Sequence, residues 1–81
     1  MDKPTLYIKR GCPYCAAAME YLDEHKIEYV TEEVRSNPEM MEKLQKISGQ
    51  KKTPTLDWNG EVLADFGVDQ LEEFLRSRAT A

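Results

Sequence analysis

Thr5-Leu6-Tyr7-Ile8-Lys9-Arg10-Gly11-Cys12-Pro13-Tyr14-Cys15 decides the fold, because the chain changes from a strand pattern to a helix pattern inside this stretch. Thr5 to Ile8 is a β-branched and aromatic run, the composition of a buried strand, and Gly11 interrupts it. Pro13 suits the first position of a helix, where its missing N–H costs nothing, so Cys12 falls at or beside the N-cap. Cys15, Ala18, Met19 and Leu22 then recur at i, i+3, i+4 and i+7, the stripe of a core-facing helix that ends near His25-Lys26. Cys15 therefore points inward and Cys12 outward.

Working outward, Ile27 to Val34 reads as a second strand. Ser36-Asn37-Pro38-Glu39 opens a second helix, with Met40, Leu44 and Ile47 on one face and Gly49 closing it. Thr55-Leu56-Asp57-Trp58 and Glu61-Val62-Leu63-Ala64 flank Asn59-Gly60, a signal for a two-residue hairpin. A last helix runs from Asp69 to Arg78 through Leu71, Phe74 and Leu75. The order β-α-β-α-β-β-α predicts an α/β fold. A strand, crossover helix and second strand give a right-handed parallel pair, and the hairpin adds antiparallel strands to make a four-stranded mixed sheet flanked by three helices. The 81 residues read as a single domain, 1–81, with only Ala79-Thr80-Ala81 as a loose tail.

With 41% hydrophobic and 32% charged residues the composition is that of a soluble globular protein, and no apolar run reaches the roughly 20 residues of a membrane span. Met1-Asp2-Lys3-Pro4 leads straight into the first strand without a signal-peptide pattern, so a reducing cytoplasm is the expected compartment. A net charge of −4 provides no basic field for phosphates, which argues against nucleic acid as a partner. Locally the pattern differs. Lys9-Arg10 precede the first cysteine and Lys51-Lys52 precede Thr53-Pro54.

Cys12 and Cys15 are the only cysteines. Sulfurs one helical turn apart start about 5–6 Å from one another at Cβ, close enough to cycle between dithiol and disulfide. As a staple so short a loop contributes only about 2 kcal/mol by chain entropy, so redox chemistry is the better use of the spacing. The attacking group in disulfide exchange is the thiolate. Cys12 would sit where free helix N–H groups and the positive end of the macrodipole converge, with Lys9 and Arg10 adding charge, whereas Cys15 lacks those donors and suits a resolving role. Half a zinc site is the competing use of two cysteines, but no second pair exists, and His25 fits a helix-end cap better than a ligand. Met40 and Met41 read as core filler, and Trp58 and the tyrosines other than Tyr14 as sheet packing.

From about Pro4 to Leu75 the chain resembles the glutaredoxins. Cys12-Pro13-Tyr14-Cys15 is the active-site sequence typical of the dithiol type, Lys9 stands at the family's spacing before it, and Thr53-Pro54 after Ser48-Gly49 resembles the family's Thr-Val-Pro segment, with Lys52 and Thr53 in its first two places. The resemblance implies a thioredoxin fold with a cis Pro54 facing the cysteines. It also implies a glutathione-dependent thiol–disulfide oxidoreductase, with Cys12 and Cys15 catalytic and no metal. Glutathione would be held by Lys9, Tyr14, Lys52, Thr53, Pro54, Val68 and Asp69. The family's Gly-Gly-Cys-Asp-Asp segment corresponds to Asp65-Phe66-Gly67-Val68-Asp69-Gln70, which carries about two extra residues, and Asp65 is the alternative to Asp69. Implied partners are glutathione and disulfide-bonded or glutathionylated proteins, met by a monomer. The stretch from Thr53 to Leu75 also resembles the N-terminal domain of glutathione transferases, whose helical second domain this sequence does not contain, so transferase activity is not expected. Two rivals remain, a thioredoxin-like donor reduced by a flavoprotein and a glutathione-binding or iron–sulfur carrier, in which Cys12 thiolates from two chains ligate a bridging cluster with two glutathiones.

Overall fold

A computed structural model describes residues 3–79. Its elements follow the expected order: β1 (Thr5–Ile8), α1 (Pro13–Glu24), β2 (Val30–Glu33), α2 (Pro38–Ser48), β3 (Thr55–Trp58), β4 (Glu61–Ala64) and α3 (Val68–Ala79). The four strands form one mixed sheet in the order β2-β1-β3-β4. β1 lies parallel to β2, pairing Thr5 with Val30, and antiparallel to β3, pairing Leu6 with Leu56; β4 returns antiparallel to β3. This is the thioredoxin-like arrangement, with three helices on a four-stranded sheet.

Alternation along β1 divides the core. Leu6 faces α1 and α3 with Ala18, Leu22, Leu56, Phe66 and Leu71, while Tyr7 faces α2 with Val34 and Leu44. The expected stripe of α1 is buried at Cys15, Ala18 and Leu22, with Met19 packed at its border. Asn59 and Gly60 both adopt positive φ, 55° and 90°, as a type I′ hairpin requires, and Asp57 accepts the Gly60 N–H at 3.0 Å. At the end of α2, Gly49 takes φ 72°.

Both ends of β2 and of α3 differ from expectation, β2 ending at Glu33 rather than Val34. β2 begins at Val30, not Ile27, because the chain is still closing α1: Lys26 takes φ 57° and the Ile27 N–H bonds the Leu22 carbonyl at 2.9 Å. Pairing starts only where the Val30 N–H reaches the Pro4 carbonyl, also at 2.9 Å. α3 begins at Val68, one residue early, because the Gln70 side chain reaches back to accept the Gly67 N–H at 2.7 Å, half of a capping box. It runs through Ala79, the first residue of the expected tail; Thr80 and Ala81 lie outside the described residues. Tyr21 stands on α1 rather than in the sheet and stacks on His25, whose Nδ1 bonds the Tyr21 carbonyl at 2.9 Å as a cap. Trp58 packs against the core beneath the Arg78 guanidinium.

Candidate active site

β1 delivers the chain to one end of the sheet, Gly11 turns it with φ 81°, and the Cys12 N–H closes that turn on the Lys9 carbonyl at 3.2 Å. Cys12 is the N-cap of α1, with an extended backbone at φ −85° and ψ 114°, and its Sγ accepts the Cys15 N–H at 3.3 Å. A cysteine here occupies the place of the usual Ser or Asp cap, so its sulfur receives a donor that the helix leaves free. Cys15 is only 2% exposed, whereas Cys12 is half-buried at the surface, and both are free thiols.

Opposite the pair stands Thr53, joined to Pro54 by a cis peptide bond. The Thr53 hydroxyl donates to Cys12 Sγ at 3.9 Å, and the Cys12 thiol is within the same distance of the Thr53 carbonyl. Pro54 is buried, and Thr55 beside it is anchored by its hydroxyl to the Lys52 carbonyl at 2.9 Å. The two loops that carry Cys12 and Thr53 are thus held face to face by strands β1 and β3.

These contacts set the two thiols apart. Partial burial pushes the Cys12 thiol up, but hydrogen bonds from the Cys15 thiol and N–H, the Thr53 hydroxyl and the Tyr14 N–H outweigh it and hold the pKa below the ordinary cysteine value. Cys15 moves the other way, raised by burial and then by donating its thiol hydrogen to Cys12. The direction matches the sequence reading, and so do the N–H donors of the first helical turn. The Cys15 thiol and the Thr53 hydroxyl add to them, in place of the charges of Lys9 and Arg10.

A groove of about 390 Å³ opens beside Cys12, lined by Lys9, Arg10, Gly11, Arg35, Lys52, Thr53 and Asp65. It gathers Lys9, Lys52 and Thr53 of the expected ligand set. Tyr14, 67% exposed, stands outside it on the first turn of α1, and Val68 and Asp69 stand at the start of α3. Asp65 rather than Asp69 reaches the groove, with φ 50° and an ion pair to Lys52 at 3.8 Å. Arg35 was not foreseen, since nothing local to the β2–α2 loop marks it as a neighbour of Cys12. Among the described residues no cluster of three or more His, Cys, Asp or Glu is placed to hold a metal ion.

A glutaredoxin family model matches residues 5–63. Over 60 residues the chain is 40% identical to prostaglandin E synthase 2 of Danio rerio, covering 74% of this chain and 15% of that protein. The chain therefore spans about one-seventh of the length of that curated relative. Among solved structures, a mutant of the thioredoxin-like protein BC3987 superposes with a TM-score of 0.82 and 28% identity, covering 94% of this chain and 97% of that one. A buckwheat glutaredoxin in complex with glutathione superposes with a TM-score of 0.72 and 22% identity, over 91% of this chain and 68% of that one, a likeness of fold.

Proposed function

This chain belongs to the glutaredoxin family, and from that premise we propose that it is a glutathione-dependent thiol–disulfide oxidoreductase of the dithiol type, acting as a monomer in the cytoplasm. The observation that carries the reading is the asymmetry of the two thiols, Cys12 at the surface with its pKa lowered and Cys15 buried behind it with its pKa raised. The outer sulfur is the better nucleophile near neutral pH, and the inner one is protected until a disulfide forms beside it.

With a glutathionylated protein, the Cys12 thiolate attacks the glutathione sulfur. A Cys12–glutathione disulfide forms and the protein thiolate leaves. A second glutathione thiolate then attacks that sulfur, releasing oxidised glutathione and restoring Cys12. With a protein disulfide, Cys12 first bonds one target sulfur, and the Cys15 thiolate displaces the target by attacking Cys12. The resulting Cys12–Cys15 disulfide is returned to two thiols by two glutathione molecules, which leave as their own disulfide. Thr53, next to cis Pro54, offers its backbone to the extended tripeptide or target segment. Lys9 and Lys52 attract the glutathione carboxylates, and Tyr14 borders the leaving chain. Asp65, already paired with Lys52, takes the amino end in preference to Asp69, while the Val68 N–H stands at the start of α3.

The likeness to a thioredoxin-like protein favours a second reading, a donor reduced directly by a flavoprotein reductase. A coupled assay separates the two. Reduction of a hydroxyethyl disulfide by NADPH and glutathione reductase should require both glutathione and this protein. Turnover with thioredoxin reductase and NADPH alone, and none with glutathione, would replace the first reading by the second.

A further inference from the structure

One oxygen of Glu33, at the end of β2, accepts two backbone N–H groups from different loops, that of Arg10 at 2.9 Å and that of Arg35 at 3.3 Å. The other oxygen takes the Ser36 N–H at 2.7 Å and the Ser36 hydroxyl at 2.5 Å. The carboxylate thereby holds the β1–α1 and β2–α2 loops in a fixed relation, and both arginines line the groove beside Cys12. Both residues are exposed, and among the described residues neither guanidinium forms an ion pair. Lys52, which lines the same groove, is engaged by Asp65.

We propose that Arg10 and Arg35 form a cationic rim that selects protein substrates bearing an acidic residue beside the reacting cysteine. The proposal rests on the thiol–disulfide exchange role of Cys12. Two planar guanidinium forks suit a carboxylate, which either can bind through paired N–H donors. The net charge of −4 repels an acidic protein as a whole, so the attraction acts only on a short segment laid over this rim. Glutathione, which the proposed function assigns to Lys9 and Lys52, leaves the arginines to the polypeptide. The occupant is therefore an acidic peptide segment flanking a disulfide or mixed disulfide, not a second small thiol.

The test reads a single exchange that needs no glutathione. Reduced Cys15→Ser protein is mixed with nine-residue peptides whose one cysteine is capped as a 2-pyridyl disulfide and flanked by Asp, Ala or Lys. The Cys12 thiolate attacks the peptide sulfur, a Cys12–peptide disulfide forms, and pyridine-2-thione leaves and is measured by its absorbance. At low salt the Asp-flanked peptide should react about tenfold faster than the Lys-flanked one. Arg10→Glu with Arg35→Glu should invert that order, and lysine at both positions should keep it in weaker form. Equal rates for all three peptides on the unmodified rim, or an order that survives the charge reversal, would overturn the proposal. Circular dichroism of the reversed variant checks that its fold is intact, and the lysine variant provides the comparison if it is not. Failure of the glutathione-coupled assay bears on the proposed function alone, because the peptide rates are measured without that tripeptide.

Discussion

Cys12 and Cys15 sit one turn apart and differ in almost everything that matters to a thiol. Cys12 receives N–H and O–H donors at a helix start, whereas Cys15 is buried on the core face of α1 and donates to its neighbour. Position assigns the chemistry. Cys12→Ser should lower glutathione-coupled turnover to background with every substrate, and Cys15→Ser should retain release of glutathione from mixed disulfides, since free glutathione can resolve what Cys15 would have resolved. Equal loss in the two variants, measured with a glutathionylated peptide, would contradict the division. The pKa has a second handle. Thr53→Val removes one donor from Cys12 Sγ, so a thiolate absorbance titration should show a higher Cys12 pKa than in the parent. Because the pKa is lowered in the parent, its attack rate should level off at a lower pH than that of the variant. An unchanged titration would remove Thr53 from the account.

At the scale of elements, what could be read from the sequence was what local chemistry specifies. Gly11 and Pro13 set the turn and start of α1, and Asn59-Gly60 set the hairpin, because each needs a backbone geometry that few residues provide. The start of β2 could not be read in the same way, since Ile27 looks like strand and is claimed by the closing turn of α1. Asp65 is marked only by the family resemblance, as the alternative to Asp69, and Arg35 reaches Cys12 only through the sheet, from a loop far along the chain, where no periodicity carries that information. Glu33 is another such case. Hydrogen bonds from the Ser36 hydroxyl and from the N–H groups of Arg10, Ser36 and Arg35 lower its pKa from the usual 4.5 to about 2. A depressed folded-state pKa contributes stability that is full above the unfolded value and is lost as pH falls from about 4.5 toward about 2. The carboxylate is solvent-exposed, which tempers the size of the effect. Glu33→Gln should therefore flatten the decline in denaturant midpoint over that interval while leaving the neutral-pH fold intact. An equally steep decline in the variant would show that other carboxylates govern it.

For the whole molecule, charge and function oppose one another in sign. The chain carries −4, yet the groove beside Cys12 is lined by Lys9, Arg10, Arg35 and Lys52 against a single carboxylate, that of Asp65. An anionic thiol approaching from a distance meets a repelling body, and one near the groove meets an attracting rim. Which field governs the encounter depends on ionic strength. At about 0.01 M salt the Debye length is roughly 30 Å, comparable with the molecule's longest extent of 35 Å, so the whole-chain charge is felt throughout the approach. At about 0.1 M it shrinks to roughly 10 Å, and the nearby groove charges outweigh the remote acidic surface. The dependence of glutathione-coupled kcat/KM on salt should therefore be weak or even rising up to about 0.1 M, then fall by a few-fold toward about 1 M, where the Debye length is roughly 3 Å and the groove itself is screened. Lys9→Gln with Lys52→Gln should lessen the fall at high salt, because two of the four groove cations being screened are then gone. Measured with a neutral disulfide as oxidant, a salt profile identical in the parent and in this double variant would mean that the groove cations do not recruit glutathione.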